Sequence, residues 1–228
     1  MSYKRWLFVA IFLFGIGFSG GLTLGQTTPD ATADLFSEDV AAFEEFVDLL
    51  ASLPQSSVFL LILLKNTSAI LISFALSPIF CLTPVVALIL NGGILGFVSV
   101  LVVQQKSLGF LLAGLLPHGI FELPALIMGE AAALSFGAMV IMLLVRKESR
   151  TVLLSIAKQS SRHILLTLAL FFITGIFPTI VVLALLREQT RAIFMTNLRQ
   201  NLRYLMIALI LLLPAAIIET YITPLLLR

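Results

Sequence analysis

Charged side chains and cysteine are both scarce in this chain of 228 residues. Only 11% of the residues are charged and 60% are hydrophobic, against roughly 25% and 45–50% in an ordinary soluble domain. A chain of this composition cannot hide its apolar surface from water, so a bilayer must supply the missing apolar solvent. The single cysteine, Cys81, excludes an intramolecular disulfide framework and a cysteine-rich metal site. The composition therefore excludes a soluble enzyme and predicts an integral membrane protein.

Positive charge is absent from residues 26–56, which hold seven of the twelve acids. The basic residues collect instead before the first apolar run and in two later segments, 146–162 and 187–203. Short loops rich in lysine and arginine stay in the cytoplasm, so we expect a cytoplasmic N-terminus and an acidic segment outside the cytoplasm. Apolar residues recur there every three or four positions from Phe36 to Leu50, which predicts an amphipathic helix.

Long apolar runs dominate the rest of the sequence. They cover residues 6–25, 58–80, 84–103, 108–145, 163–186 and 204–226. The first run is long enough to cross the hydrocarbon core, which favours an uncleaved span over a cleaved signal peptide. The fourth run exceeds one simple crossing and contains Pro117 and Pro124, so we predict a broken or re-entrant segment at 108–124 before a helix to about residue 145.

These runs predict an all-α fold, a polytopic transmembrane helical bundle of about six spans that forms a single domain over residues 1–228. Six crossings place both chain ends in the cytoplasm but leave the basic segment 187–203 outside, against the charge rule. If the run 163–186 does not cross fully, the chain crosses five times.

The segments 146–162 and 187–203 also have apolar faces, which predicts interfacial helices on anionic headgroups, with a cytoplasmic protein partner as the alternative.

Ionisable side chains within the apolar runs are the candidates for a functional site, because each is costly at the bilayer centre unless it faces protein or water. His118 and Glu122 lie four residues apart, so one helical turn places them on the same face. The pair forms either a polar gate, ion site or proton relay, or a structural kink at which the two side chains satisfy each other's hydrogen bonds. The candidate polar intramembrane site comprises His118, Glu122, Glu130, Lys65, Asn66, Asn91 and Glu219.

The partners within this set stay open at the sequence level. Lys65 either extends towards the membrane surface or pairs with Glu122 or Glu130. Glu219 lies near the end of the last run, where a solvated carboxylate is the alternative to a site residue. Asn91 can form a hydrogen bond across helices.

Small residues recur four positions apart in several runs, a pattern that lets helices approach closely. The predicted helix-packing glycines are Gly17, Gly21, Gly25, Gly92, Gly96, Gly129 and Gly137. Because such a stripe also occurs at helix dimer interfaces, we expect a homodimer.

Three ordered motifs resemble the stage II sporulation protein M family of multi-pass membrane proteins. Pro117-His118-Gly119-x-x-Glu122 is similar to the hallmark of that family. Asn91-Gly92-Gly93-x-x-Gly96 is similar to its Asn-Gly segment, and Glu219-x-x-x-Thr223-Pro224 to its C-terminal motif. The resemblance covers residues 60–145 and 200–226. Two departures are Glu130, which stands where the family tends to small residues, and the added apolar run 163–186.

The resemblance implies a protein that works beside peptidoglycan-degrading partners in membrane remodelling and is not itself the hydrolase. We expect a non-enzymatic scaffold or component of a complex in the cytoplasmic membrane, with unidentified membrane or extracytoplasmic protein partners. The alternative is an ion or small-solute channel or transporter that uses the polar site. An intramembrane hydrolase with Glu122 as base is less favoured, since catalytic zinc needs three protein ligands. No cofactor, metal or nucleic acid is expected.

Overall fold

The computed structural model describes residues 3–27, 53–78, 81–145 and 188–226. All regular structure within these ranges is helical. The helices are α1 (Tyr3–Thr27), α2 (Gln55–Leu76), α3 (Leu82–Gln105), α4 (Leu108–Val145), α5 (Glu188–Ile217), a π-helical turn (Ile218–Ile222) and α6 (Thr223–Leu226).

Five segments of the described residues are long and apolar enough to cross a membrane. They are Tyr3–Thr27, Gln55–Leu76, Leu82–Gln105, Gly119–Leu143 and Phe194–Leu226. Their outer faces keep large apolar side chains exposed, for example Phe8 at 72% and Leu64 at 62%. Lipid tails solvate such a surface as well as a protein core would. The predicted all-α polytopic bundle is therefore confirmed.

The break predicted at residues 108–124 is not seen, because α4 is one continuous helix of 38 residues. Pro117 and Pro124 lie inside it. Each proline removes only one backbone donor, and neighbouring helices can hold the remaining ladder in place at membrane depth. At 1.5 Å per residue α4 is about 57 Å long, so the excess length is accommodated without a break. The segment Gly119–Leu143 has the composition of a span, and Leu108–Pro117 is a shorter apolar stretch.

Several predicted segments lie outside the described residues. These are the acidic amphipathic helix between Phe36 and Leu50, the basic segment 146–162 and the apolar run 163–186. The five candidate spans are thus a count over the described ranges alone.

The chain divides into two compact units. The first unit contains Met1–Ile11, Ala69–Ala87 and Leu126–Ala208. The second unit contains Phe12–Ser68, Leu88–Ala125 and Leu209–Arg228. Each of the five long helices contributes residues to both units.

The core of the first unit is aromatic and lies between α4 and α5. Phe194 of α5 is 1% exposed and packs with Phe136 and Val140 of α4. Phe74 of α2 stacks on Phe136 with ring centroids 4.8 Å apart, and Leu198 packs against the same cluster. The apolar face of the basic segment 187–203 therefore contacts protein through Phe194 and Leu198.

A tyrosine pair joins α1 to α5 in the first unit. The rings of Tyr3 and Tyr204 stack with centroids 3.4 Å apart and an interplanar angle of 4°. The Tyr3 hydroxyl also donates a 3.0 Å hydrogen bond to the carbonyl of Met128 in α4. The start of α1 is thus fixed against two other helices.

Glycines bring α1 and α3 into main-chain contact in the second unit. A Cβ at Gly17 would overlap the backbone of Ile89, and one at Gly21 would overlap the backbone of Gly93. The reciprocal glycines of α3, Gly92 and Gly96, lie against the main chain of α1. Residue numbers rise together along both helices, so α1 and α3 run parallel. The glycine stripe of α1 thus packs against a helix of the same chain, and the homodimer stays a prediction.

The remaining predicted glycines also lie at close contacts. Gly25 meets the side chain of Val100 in the second unit. In the first unit, Gly129 meets the side chain of Ile70, and Gly137 meets the backbone of Ser77.

Candidate functional site

A hydrogen bond between two helices forms the centre of the candidate site in the second unit. Asn66 of α2 donates from Nδ2 to Glu122 Oε1 of α4 over 3.0 Å. Both side chains are half-buried. Because lipid offers no hydrogen-bond partner, each of the two side chains relies on the other for one of its hydrogen bonds. The contact therefore fixes the rotation of α2 against α4.

Glu219 and Lys65 complete this polar cluster. The Glu219 carboxylate lies within electrostatic range of both Glu122, which repels it, and Lys65, which attracts it. Such interactions are stronger away from bulk water, where the effective dielectric constant is low. We define the polar cluster as Lys65, Asn66, Glu122 and Glu219. It places two carboxylates beside one ammonium group and one amide.

The π-helical turn Ile218–Ile222 positions Glu219. Its wider turn is closed by Thr223, whose backbone N–H binds the carbonyl of Ile218 and whose hydroxyl donates to the same oxygen over 3.3 Å. The next residue, Pro224, has no N–H and crowds the preceding turn, which accounts for the wider pattern. Single π-helical turns occur often at functional sites.

Thr220, inside the same turn, is 4% exposed. Its hydroxyl has no hydrogen-bond partner among the described residues. A buried hydroxyl without a partner destabilises the folded state. The turn therefore carries this free-energy cost at the residue next to Glu219.

The described contacts do not assign two predicted site residues, Asn91 and His118, to the polar cluster. Asn91 is exposed on α3. The backbone of His118 is helical, but its side chain lies outside the described part of the chain. The predicted pairing of His118 with Glu122 therefore also lies outside the described part of the chain.

Glu130 belongs to the first unit and has its own environment. It is 1% exposed and accepts a short hydrogen bond from the Ser73 hydroxyl. The Ser73 carbonyl in turn accepts a 3.3 Å hydrogen bond from Thr83 Oγ1. The predicted site is thus distributed over two places, one around Glu122 and one around Glu130.

Ser73 was missed by reasoning from the sequence, although a signal was present. Asn66, Ile70 and Ser73 are spaced by 4 and 3 residues, so they share one face of α2, and Ser77 continues the spacing directly after the helix ends. Within its own unit, each of them meets a residue of α4. A polar and small stripe on an otherwise apolar helix indicates the face that packs against protein.

Cys81 stands between α2 and α3 in a strained conformation, with a positive φ of 54°. Its Sγ lies 3.7 Å from the carbonyl oxygen of Leu134, and burial raises the pKa of the thiol to about 11. The thiolate is the nucleophile and the metal ligand, so this cysteine is suited to neither role at neutral pH. In the described ranges, no group of three His, Cys, Asp or Glu residues could hold a metal ion.

Comparison with known proteins gives a match to a protein family. The family model described as Stage II sporulation protein M matches residues 8–182. These residues include the Asn91-Gly92-Gly93 and Pro117-His118-Gly119 motifs, whereas Glu219 lies beyond them. No curated protein and no solved structure matches the chain.

Proposed function

The chain belongs to the stage II sporulation protein M family, and from this premise we propose that it is a non-enzymatic scaffold of a complex in the cytoplasmic membrane. The scaffold acts beside envelope-degrading enzymes during membrane remodelling and is not one of them. Its own role is to hold a fixed arrangement of membrane helices on which partner proteins assemble.

The observation that carries this proposal is the hydrogen bond from Asn66 to Glu122 within the polar cluster. Through it and the charges around Glu219, three separate elements act on one another: α2, α4 and the π-helical turn. A cluster of interacting polar groups sets the rotation and register of helices that are apolar over most of their surface. This is the property that a scaffold requires.

The glycine contacts between α1 and α3 support the same function. Main-chain contact over several turns leaves little space for two helices to slide or separate. A rigid bundle suits a protein that presents surfaces to partners and does not turn over a substrate.

Complementation of a deletion strain, scored by the shape of the cell envelope, tests the proposal. Glu122→Leu removes the acceptor for Asn66 and should abolish complementation, whereas Glu122→Gln keeps an acceptor oxygen and should restore it. Ser68→Ala is the matched control, because the exposed Ser68 hydroxyl bonds within its own helix, at the carbonyl of Lys65, and to no other described residue. Full complementation by Glu122→Leu would contradict the scaffold.

The charge content of the polar cluster favours a second candidate, an ion or solute transporter. The Glu219 carboxylate lies within electrostatic range of the Glu122 carboxylate and of the exposed Lys65 ammonium group, and transporters bind coupling ions at such groups within the membrane. In that case wild-type proteoliposomes should show flux that Glu122→Gln abolishes. Glu122→Gln thus distinguishes the two functions. A scaffold should still complement in this variant, whereas a transporter should lose its flux.

A further inference from the structure

A group of exposed basic side chains in the first unit is not used by the proposed scaffold. Lys4 and Arg5 directly follow Tyr3, while Arg203 directly precedes Tyr204. Because the Tyr3 and Tyr204 rings are stacked, these basic residues lie in one neighbourhood. All three are exposed, and the exposed Arg199 lies one helical turn before Arg203.

Arg199 and Arg203 line two grooves along α5. One groove, of about 570 Å³, has an apolar lining that includes Leu202, Met206 and Ile207. The other, of about 490 Å³, is lined by the same two arginines together with Thr196, Gln200 and Tyr204. Each groove thus combines guanidinium groups with either an apolar floor or additional hydrogen-bonding groups.

We propose that these grooves bind one anionic phospholipid, with its phosphate held by Arg199 and Arg203 and an acyl chain along the apolar groove. Guanidinium groups match phosphate oxygens in geometry as well as in charge. Among the described side chains of the first unit the acid is Glu130, which is buried, so no described carboxylate competes for the arginines. Charge therefore selects an anionic ligand.

The apolar groove selects a lipid over a free phosphate. Leu202, Met206 and Ile207 are 41%, 55% and 44% exposed, and all three lie in the candidate span Phe194–Leu226. A small anion would leave this surface uncovered, whereas an acyl chain would cover it. The stacked tyrosines next to the arginines fit the depth of a headgroup, since tyrosine concentrates at the membrane interface.

Lipid titration of the full chain in detergent tests the site. Binding of phosphatidylglycerol and of phosphatidylcholine is measured by native mass spectrometry, with glycerol phosphate as a competitor without acyl chains. We expect the wild type to prefer phosphatidylglycerol by about tenfold or more, and Arg199→Gln with Arg203→Gln to abolish the preference. Glycerol phosphate should not compete at the concentrations at which the lipid binds.

Arg191→Gln is the matched control. Arg191 is exposed on the same helix and lines neither groove, and its replacement also removes one positive charge. It should change the lipid preference by less than about twofold, with unaltered melting of all variants as the check on folding. Equal binding of the two lipids by the wild type would overturn the proposal. So would competition by glycerol phosphate, or a loss in Arg191→Gln equal to that in the double variant.

Discussion

Gly21 of α1 lies so close to Gly93 of α3 that a methyl group at residue 21 would overlap the carbonyl oxygen of Gly93. Alanine at residue 21 must therefore push the two helices apart. Overpacking of this kind costs about 1–3 kcal/mol, so we expect Gly21→Ala to lower the melting temperature of the purified protein in detergent.

Gly20 provides the matched control on the same helix, because a Cβ there meets no atom within 4 Å. Alanine is the better helix former of the two residues by about 1 kcal/mol, so Gly20→Ala should leave the melting temperature unchanged or raise it. Equal destabilisation by both substitutions would mean that α1 and α3 are not in main-chain contact.

A double-mutant cycle measures the hydrogen bond between Asn66 and Glu122. Asn66→Ala and Glu122→Ala should each destabilise the protein, and together by less than the sum, with a coupling energy of about 1 kcal/mol. Steric trapping in micelles gives the required free energies of unfolding. The pair Ser68→Ala and Glu122→Ala should be additive. Additivity in the first pair as well would show that Asn66 and Glu122 do not interact.

The sequence indicates which polar side chains need a hydrogen-bond partner, but it does not indicate which residues are those partners. Glu122 and Glu130 stand out because a carboxylate in an apolar run is costly, and the glycines stand out by their spacing. The partners Asn66 and Ser73 depend on how α2 is rotated against α4. Both helices are apolar over most of their surface, so hydrophobic periodicity alone does not fix that rotation.

The prolines show a second limit of reasoning from sequence. In a soluble helix, Pro117 and Pro124 would predict a kink or an end. In α4 they interrupt nothing, because the helix continues over 38 residues. Each proline removes one backbone donor in both settings. However, lipid offers the exposed groups of a broken helix no alternative partner, so the helical path remains the better one.

The buried pair of Ser73 and Glu130 gives a third prediction. Ser73→Ala leaves one oxygen of a carboxyl group that is 1% exposed without its donor, at a cost of about 1–3 kcal/mol. Replacing both partners by apolar residues, as in Ser73→Ala with Glu130→Met, removes the unpaired group and should recover much of the loss in thermal melting. A double variant no more stable than Ser73→Ala alone would contradict the contact.

The fourth prediction concerns the thiol of Cys81 and is tested by alkylation of this single cysteine. Burial raises the pKa of the Cys81 thiol from 9.0 to about 11, so the folded state favours the neutral form. At pH 7.5 the thiolate population is about a hundredfold lower than that of a free cysteine. The rate of reaction with a maleimide should rise about tenfold per pH unit up to about pH 11. The chain unfolded in dodecyl sulfate is the control and should react at the ordinary rate. An equal rate in the folded protein at pH 7.5 would mean that the thiol is not buried.

The stack of Tyr3 on Tyr204 carries a prediction about topology. Tyr3 begins the first candidate span, and Tyr204 follows the basic residues of α5, so both basic groups should face the same side of the membrane. That arrangement agrees with the charge rule and with the five-crossing alternative, whereas six crossings would separate them. In a Cys81→Ser background, Lys4→Cys and Arg199→Cys should both react with an impermeant maleimide in inverted vesicles, and neither should react in right-side-out vesicles. If each preparation labels a different cysteine, the two tyrosines cannot be in contact and the six-crossing order is correct.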